Sequence, residues 1–246
     1  MKKLLFSIAA GLCVISNVDA QENTGSVIGM KDEFASIAKS GRMQSGFENL
    51  QSYSNVNAKG SQFFYPTWLP GSVVTAGNET ISGKYLFLFD RVRQELFIKL
   101  KDSNVVLLAD KAQIQSFTLN LEGNHVFVPD TKYKKDASEI NFYEIMELNE
   151  KGYSFFKFVS TKFEKANPND MVKVRNGDLS DEFVDNTVYY LYNTGTGLNK
   201  ISFSEKSILK SIDASKQSAA KAYFTKHDSD KIDENFVIGL VKNLNN

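Results

Sequence analysis

The apolar positions of this chain fall into three regimes. Residues 4–15 form an unbroken greasy run behind Lys2 and Lys3. Residues 60–203 alternate apolar with polar in short runs broken by turn residues, and from Ser204 the spacing lengthens to three and four. Alternation at period two marks a half-buried strand and a period near 3.6 marks an amphipathic helix, so the pattern predicts a hairpin-built body followed by helices.

Within the body, KYLFLFD (84–90) is apolar on both faces, with Tyr85, Phe87 and Phe89 pointing one way and Leu86 and Leu88 the other. A strand with two greasy faces belongs in an interior. ELFIKLK (95–101) sets Leu96, Ile98 and Leu100 against Lys99 and Lys101, as a half-buried strand should. Val73–Thr75 and Ile81–Phe89 bracket Gly77 and Asn78 as a first hairpin. VVLLAD follows a turn at 102–104, and IQSFTLNL and HVFVP flank the turn Glu122-Gly123-Asn124. FYEIMELN and YSFFKFVSTKF are joined by Glu150-Lys151-Gly152; as a regular strand, the first puts Glu144 and Glu147 on opposite faces. Asn167-Pro168-Asn169 ends that hairpin. NGDLSDEFVDN (176–186) reads as an acidic loop before TVYYLYN and LNKISFS, which brings the total to about ten antiparallel strands.

The tail predicts three capped helices. Ser204 precedes Ile208, Leu209 and Ile212; Asp213 precedes a face of Ala219, Ala222 and Tyr223. Asp233 precedes ENFVIGLVKNL, whose Phe236, Val237, Leu240, Val241 and Leu244 make one stripe. The fold class expected is α+β, mainly β: an antiparallel hairpin-built sheet, or a partly closed barrel or sandwich, with C-terminal helices packed on it. Strand number alone also suits a membrane barrel, against which stand the Lys and Glu within the strands and the helical ending.

The first regime changes the picture of where the protein works. MKKLLFSIAAGLCVISNVDA (1–20) has the basic start, short apolar middle and small final residue of a secretory signal peptide. Its 12-residue apolar run falls short of the roughly 20 needed to span a bilayer. Cys13 sits between Leu12 and Val14 inside that run, a setting that argues against a lipid anchor there. Cleavage after Ala20 would leave a chain from Gln21 without cysteine, which excludes a disulfide framework and a thiol nucleophile. The expected location is the periplasm or the outside of the cell. Four segments follow: the signal peptide 1–20, a lead-in 21–59 with one short amphipathic patch (MKDEFASIAKS), the β-rich domain 60–203, and the helical segment 204–246 of the same domain.

Charge narrows the partners. Without Lys2, Lys3 and Asp19 the mature chain carries 27 basic and 28 acidic side chains, so neither nucleic acid nor an anionic membrane surface is drawn to it. TKYKKD (131–136) reads as a solvated loop.

Candidate chemistry is sparse. His125 and His227 are the two histidines, no G-x-S-x-G elbow accompanies them, and two distant imidazoles make a poor zinc set. DSDKIDEN (228–235) lacks the glycine and final glutamate of a calcium loop and fits a helix-capping turn. No cofactor and no metal is implied. Carboxylates on the loops 130–139 and 177–186 leave one catalytic alternative, a hydrolase acting on glycan or peptide. The recognition candidate is FFYPTWLP (63–70), where Pro66 and Pro70 hold an aromatic cluster extended at low entropic cost. Its Phe63, Tyr65 and Trp68 either bind a ligand or partner, or cap one end of the core. The reading is an exported, non-catalytic envelope protein that binds another protein or a small apolar ligand.

The order of these pieces also resembles a family of uncharacterised exported proteins common in Bacteroidetes-type bacteria. The resemblance runs from about Gly60 to the C-terminus. It comprises Gly60-Ser61 before aromatics, Trp68 and Gly71 opening a hairpin, KYLFLFDRVRQELFIK, YSFFKFVSTKFEKANP, and TVYYLYN with LNKISFSEKSILKSI ahead of the terminal helices. It implies secretion and a β-rich body ending in helices, and it assigns no residue a role.

Intact-mass analysis of protein recovered from the cell envelope should give a chain beginning at Gln21. Full-length chain in the cytosol, or an acyl group on Cys13, would overturn the export reading.

Overall fold

A computed structural model describes residues 58–246 apart from 104, 105, 135–137 and 178. The leader and the patch MKDEFASIAKS lie outside the described residues. Eleven strands follow one another: β1 (Gly71–Thr75), β2 (Thr80–Ser82), β3 (Tyr85–Asp90), β4 (Glu95–Leu100), β5 (Val106–Leu108), β6 (Ile114–Asn120), β7 (Asn124–Pro129), β8 (Phe142–Glu147), β9 (Ser154–Glu164), β10 (Glu182–Asn193) and β11 (Gly197–Ile201). Helices α1 (Met171–Arg175), α2 (Glu205–Lys210), α3 (Gln217–Lys226) and α4 (Glu234–Asn245) accompany them.

The strands make two antiparallel sheets. One has eight strands in the order β11-β10-β9-β8-β7-β6-β1-β2; the other is β3-β4-β5. The large sheet is open, with β11 and β2 as its two ends. The expected first hairpin is therefore divided: β1 and β2 pair as read, but β3 leaves for the small sheet. Gly83, at φ +79°, makes the break in a conformation that L side chains resist.

The small sheet covers one half of the large sheet's inner face. Phe87, Phe89, Leu96 and Ile98 from the small sheet meet Val73, Phe117, Phe127 and Phe142 from the large one. Phe117 and Phe127 lie directly opposite on β6 and β7, stacked at 4.7 Å, and Phe142 meets Phe117 edge-on at 5.1 Å. Each such pair contributes about 0.5–1.5 kcal/mol beyond the burial of its area. The two-faced reading of KYLFLFD holds, since Leu88 packs the opposite way with Phe97 and Val106. The FFYPTWLP segment runs along the edge of β3. Phe64 N–H donates to Phe89 O at 2.8 Å, and Leu69 exchanges bonds of 2.9 and 2.8 Å with Phe87. Its two prolines need no ladder partner at such an edge.

The helices cover the other half. Phe155, Leu191 and Ile201 on the inner face of β9–β11 pack with Ile208, Phe224 and the whole predicted α4 stripe, all buried. Ser204 caps α2 through Ser207 N–H, and Asp233 caps α4 through Phe236 N–H at 3.1 Å. The face of α3 differs in part from expectation: Tyr223 packs half-buried beside buried Ala220 and Phe224, while Ala219 and Ala222 are exposed. Its register is set by where α3 begins, and Asp213 does not cap it. The Asp213 carboxylate instead accepts from Tyr153 OH at 3.1 Å and Asn193 Nδ2 at 2.7 Å, tying the first helical turn to the β8–β9 and β10–β11 connections. Two further corrections concern residues 165–186. Asp170 caps the short helix α1, which the proline-bounded turn concealed, and the acidic stretch 182–186 is the first part of β10 rather than loop.

What joins the halves is a turn. β8 pairs with β9 only from Glu144↔Lys157 to Glu147↔Phe155, so among the described residues β9 beyond Phe158 has no strand on that side. Residues 91–94 between β3 and β4 fill the space. Thr161 N–H donates to Arg91 O at 3.2 Å, and Gln94 Nε2 donates to Val159 O at 3.1 Å and Arg91 O at 3.0 Å. Gln94 Oε1 accepts from Phe142 N–H at 3.1 Å. Gln94 is 4% exposed with φ +55°. Asp90, 1% exposed, shapes the turn by accepting from Val92 N–H at 2.8 Å, Arg93 N–H at 3.1 Å and Gln62 Nε2 at 3.2 Å. Burial raises the Asp90 pKa above the ordinary 3.8, outweighing the two amides that favour its charge.

Asp90→Ala should destabilise the chain by about 2–4 kcal/mol in urea unfolding, because the buried Gln62 amide and two half-buried turn N–H groups lose their acceptor. Asp90→Asn should cost less. The raised pKa means the folded state holds a proton the unfolded state has released, so stability falls as pH rises through that window. The advantage of the wild-type chain over Asp90→Asn should therefore grow as pH is lowered from 7 toward 4; an unchanging difference would show that Asp90 is not desolvated.

Candidate functional site

The two covers do not meet. Between the small sheet and α4, alternate side chains on the inner face of β8–β10 line a groove: Glu144, itself buried, with Lys157, Val159, Thr187 and Asp185 half-buried or exposed. Pairing sets them side by side, with Glu144 opposite Lys157 and Thr187 opposite Val159. Phe64, Phe89, Phe127 and Phe142 wall the small-sheet side, and the enclosed volume is about 180 Å³.

Its charges are mostly committed to one another. Arg91 Nη1 lies 2.7 Å from Asp185 Oδ2 and its Nη2 donates to Ser61 O at 3.1 Å, while Nε is enclosed without an acceptor. Thr161 Oγ1 donates to the other Asp185 oxygen at 2.6 Å. Lys157 turns away from Glu144 to Glu234, 3.0 Å away at the start of α4. Glu234 also accepts from Tyr189 OH at 2.6 Å, and burial first, then that carboxylate, raises the Tyr189 pKa. Glu144 is left with His125, whose Nδ1 is 2.6 Å from Oε1 and whose Nε2 is 3.1 Å from Leu121 O. Phe64 meets the imidazole edge-on at 5.0 Å.

A β-bulge changes how the β8 carboxylates face. The register slips between Ile145 and Glu147, so that Glu144 opposes Lys157 and Glu147 opposes Phe155, both inner-face positions of β9. The extra residue cancels the alternation, and Glu147 reaches Lys242 of α4 at 3.5 Å instead of the opposite face.

One strand edge beside the groove is bare. Lys59 bonds the start of β10, accepting from Phe183 N–H and donating to Asp181 O, both at 2.8 Å, and β11 begins pairing only at Tyr189. Between them Val184, Asp185, Asn186 and Thr187 are exposed, with no strand among the described residues on the side away from β9. Because Phe183 N–H points outward, alternation sends the N–H and C=O of Asp185 and Thr187 the same way. Gly60 at φ +77° lets the incoming chain turn off here, where a Cβ would stand 2.7 Å from Phe183 O.

Of the recognition candidates, Phe63 and Trp68 are half-buried against Leu88, Phe97 and Val106, and Lys99 Nζ lies 4.9 Å over the Trp68 ring; Tyr65 is 39% exposed. Their neighbour Phe64 points the other way, into the groove. His227 ends α3, 2.8 Å from Asp230 and stacked on Tyr223 at 4.3 Å. Among the described residues no cluster of three His, Asp or Glu has metal-binding geometry. Two of the acidic loop residues are engaged: buried Asp130 accepts from Asn141 N–H and Lys134, and Asp181 accepts from Ala166 N–H at 2.8 Å. The groove escaped the sequence reading, though Lys157 gave a signal as the single charge within YSFFKFV. No family model, no characterised protein and no solved structure matches this chain.

Trp68→Ala should cost about 1.5–3 kcal/mol of stability through lost burial. A variant of undiminished stability that fails to bind would return Phe63, Tyr65 and Trp68 to the role of a recognition surface.

Proposed function

We propose that this is an exported, non-catalytic binding protein, and that its partner is another protein which adds an extended segment to the bare edge of β10. The observation that carries this reading is the outward-facing main chain of Asp185 and Thr187 beside an aromatic-walled groove. Main-chain bonds at such an edge supply affinity, and a neighbouring pocket that takes an alternate side chain supplies selectivity. The large sheet's end strands are blunted: β2 is three residues long, and β11 has five with Lys200 exposed. Val184–Val188 carries neither lysine nor proline, the usual defences of an edge.

A protein partner is favoured over a small apolar ligand by how the interior is filled. Both cores are packed with their own aromatic and aliphatic side chains, the groove's 180 Å³ is below the roughly 300–1,000 Å³ of small-molecule pockets, and the larger clefts of about 360–470 Å³ are shallow and lined in good part by polar and charged residues. The carboxylate-hydrolase alternative has less support, since Asp130, Asp181 and Asp185 already hold backbone amides or basic side chains.

A photo-crosslinking residue at Asn186 should trap a partner in intact cells. Thr187→Pro should abolish the adduct, because it removes an outward N–H while sparing the bonds to β9, and should leave the melting temperature within a few degrees. An adduct that survives Thr187→Pro would refute edge addition.

A further inference from the structure

We infer that the cleft where the β8–β9 and β10–β11 turns meet the end of α4 binds a free α-amino acid by its ammonium and carboxylate groups. The cleft measures about 410 Å³, within the roughly 300–1,000 Å³ of small-molecule pockets. It shares no residue with the groove beside β10, so this site is additional to the edge of β10 and does not depend on it.

Its walls are set before any ligand arrives. Tyr153 OH donates to Asp213 Oδ2 at 3.1 Å and accepts from Asp213 N–H at 2.9 Å, while Asn193 Nδ2 donates to the same carboxylate oxygen at 2.7 Å. Asn193 Oδ1 in turn accepts from the Gly195 and Thr196 N–H groups, each at 2.7 Å. Asn245 clasps the other turn, accepting from Tyr153 N–H at 2.7 Å and donating to Tyr153 O at 2.9 Å. Groups held in this way have little freedom left to lose when a ligand binds.

Three charges remain unmatched. Both side-chain bonds to Asp213 fall on Oδ2, so Oδ1 has no hydrogen bond among the described residues. A Cβ at Gly195 would stand 3.6 Å from that oxygen, and the glycine keeps the space beside it open. Lys151 and Lys216, both exposed, line the same cleft and form no ion pair among the described residues, with Asp213 or with any other carboxylate. One negative and two positive groups therefore border a common space without neutralising one another. A simple anion would leave Asp213 unmatched, and a simple cation would meet two lysines. A zwitterion answers both, with its ammonium on Asp213 and its carboxylate on the lysines. The last turn of α4 also lines the cleft through Leu244 and Asn245, and the negative end of a helix adds to the attraction for the ammonium. Asn149, Thr194 and Ser215 complete the lining, so a polar side chain is preferred to an apolar one.

Isothermal titration of the common L-amino acids into the full chain tests this. Those with polar side chains should bind in the millimolar range or tighter, L-glutamine among them. N-acetyl-L-glutamine, which lacks the ammonium, and L-glutamine amide, which lacks the carboxylate, should each bind about tenfold more weakly, the loss expected for one charge-assisted hydrogen bond. Asp213→Asn should weaken L-glutamine by a similar factor and leave N-acetyl-L-glutamine unchanged. The double variant Lys151→Gln, Lys216→Gln should weaken L-glutamine and leave L-glutamine amide unchanged, with an unaltered melting temperature because both side chains are exposed. Binding by none of the amino acids, equal binding of L-glutamine and its two blocked forms, or wild-type affinity in both variants would overturn the inference. Should Asp213→Asn fail to fold, the lysine variant and the blocked ligands decide.

Discussion

The architecture hangs on the turn between β3 and β4. β9 outruns β8, and a long strand stripped of a neighbour on one side would bury or expose unpaired main-chain groups. The turn supplies their partners, through the Arg91 carbonyl and the Gln94 amide. Gln94 is suited because one side chain both donates and accepts, so it bonds β9, β8 and its own turn at once. A buried polar network is favourable only when every member is satisfied, and here Asp90 completes it by holding the turn's own amides.

Once that turn is docked, the small sheet's position over the large sheet is fixed, and so is the limit of its cover. The helices approach from the other end, anchored through Tyr153, Asp213 and Asn245 to the turns of β8–β11. Neither layer extends far enough to reach the other. The strip between them must be polar enough to face water and sufficiently paired to tolerate partial burial, which is why its charges close on one another as Arg91–Asp185 and Lys157–Glu234. Glu144 closes on His125, whose Nδ1 lies 2.6 Å from its Oε1, and the bulge that follows it frees Glu147 to serve α4.

That no described strand covers the outer edge of β10 at 184–188 is a consequence of the same geometry. Residues 59–60 leave β10 in order to reach Asp90 and β3, and β11 is too short to follow β10 along its whole length. Five residues lie between these partners, long enough for a segment of another chain to bond with both Asp185 and Thr187 and too short for a long rigid strand.

Local periodicity determined much of this protein. The tail stripe Phe236 to Leu244, the two-faced KYLFLFD, the hairpins of β6–β7 and β8–β9 and the edge position of FFYPTWLP are legible because each depends on which of its own neighbours must be buried. What periodicity does not carry is the choice of distant partner. Gly83 lies within one continuous hairpin arm, Ile81–Phe89, until β3 is seen to pair away from β2, and the acidic stretch 182–186 becomes strand only because β9 lies beside it. Glu144 and Glu147 share a face through a slip against Phe155 that neither sequence position announces. The groove exists where two covers stop short, a boundary set by the packing of residues some sixty to ninety positions apart, as between Gln94 and Val159 or Tyr153 and Asn245. Alternation along a strand is fixed by short-range geometry, whereas the neighbour across it is chosen by the fold as a whole.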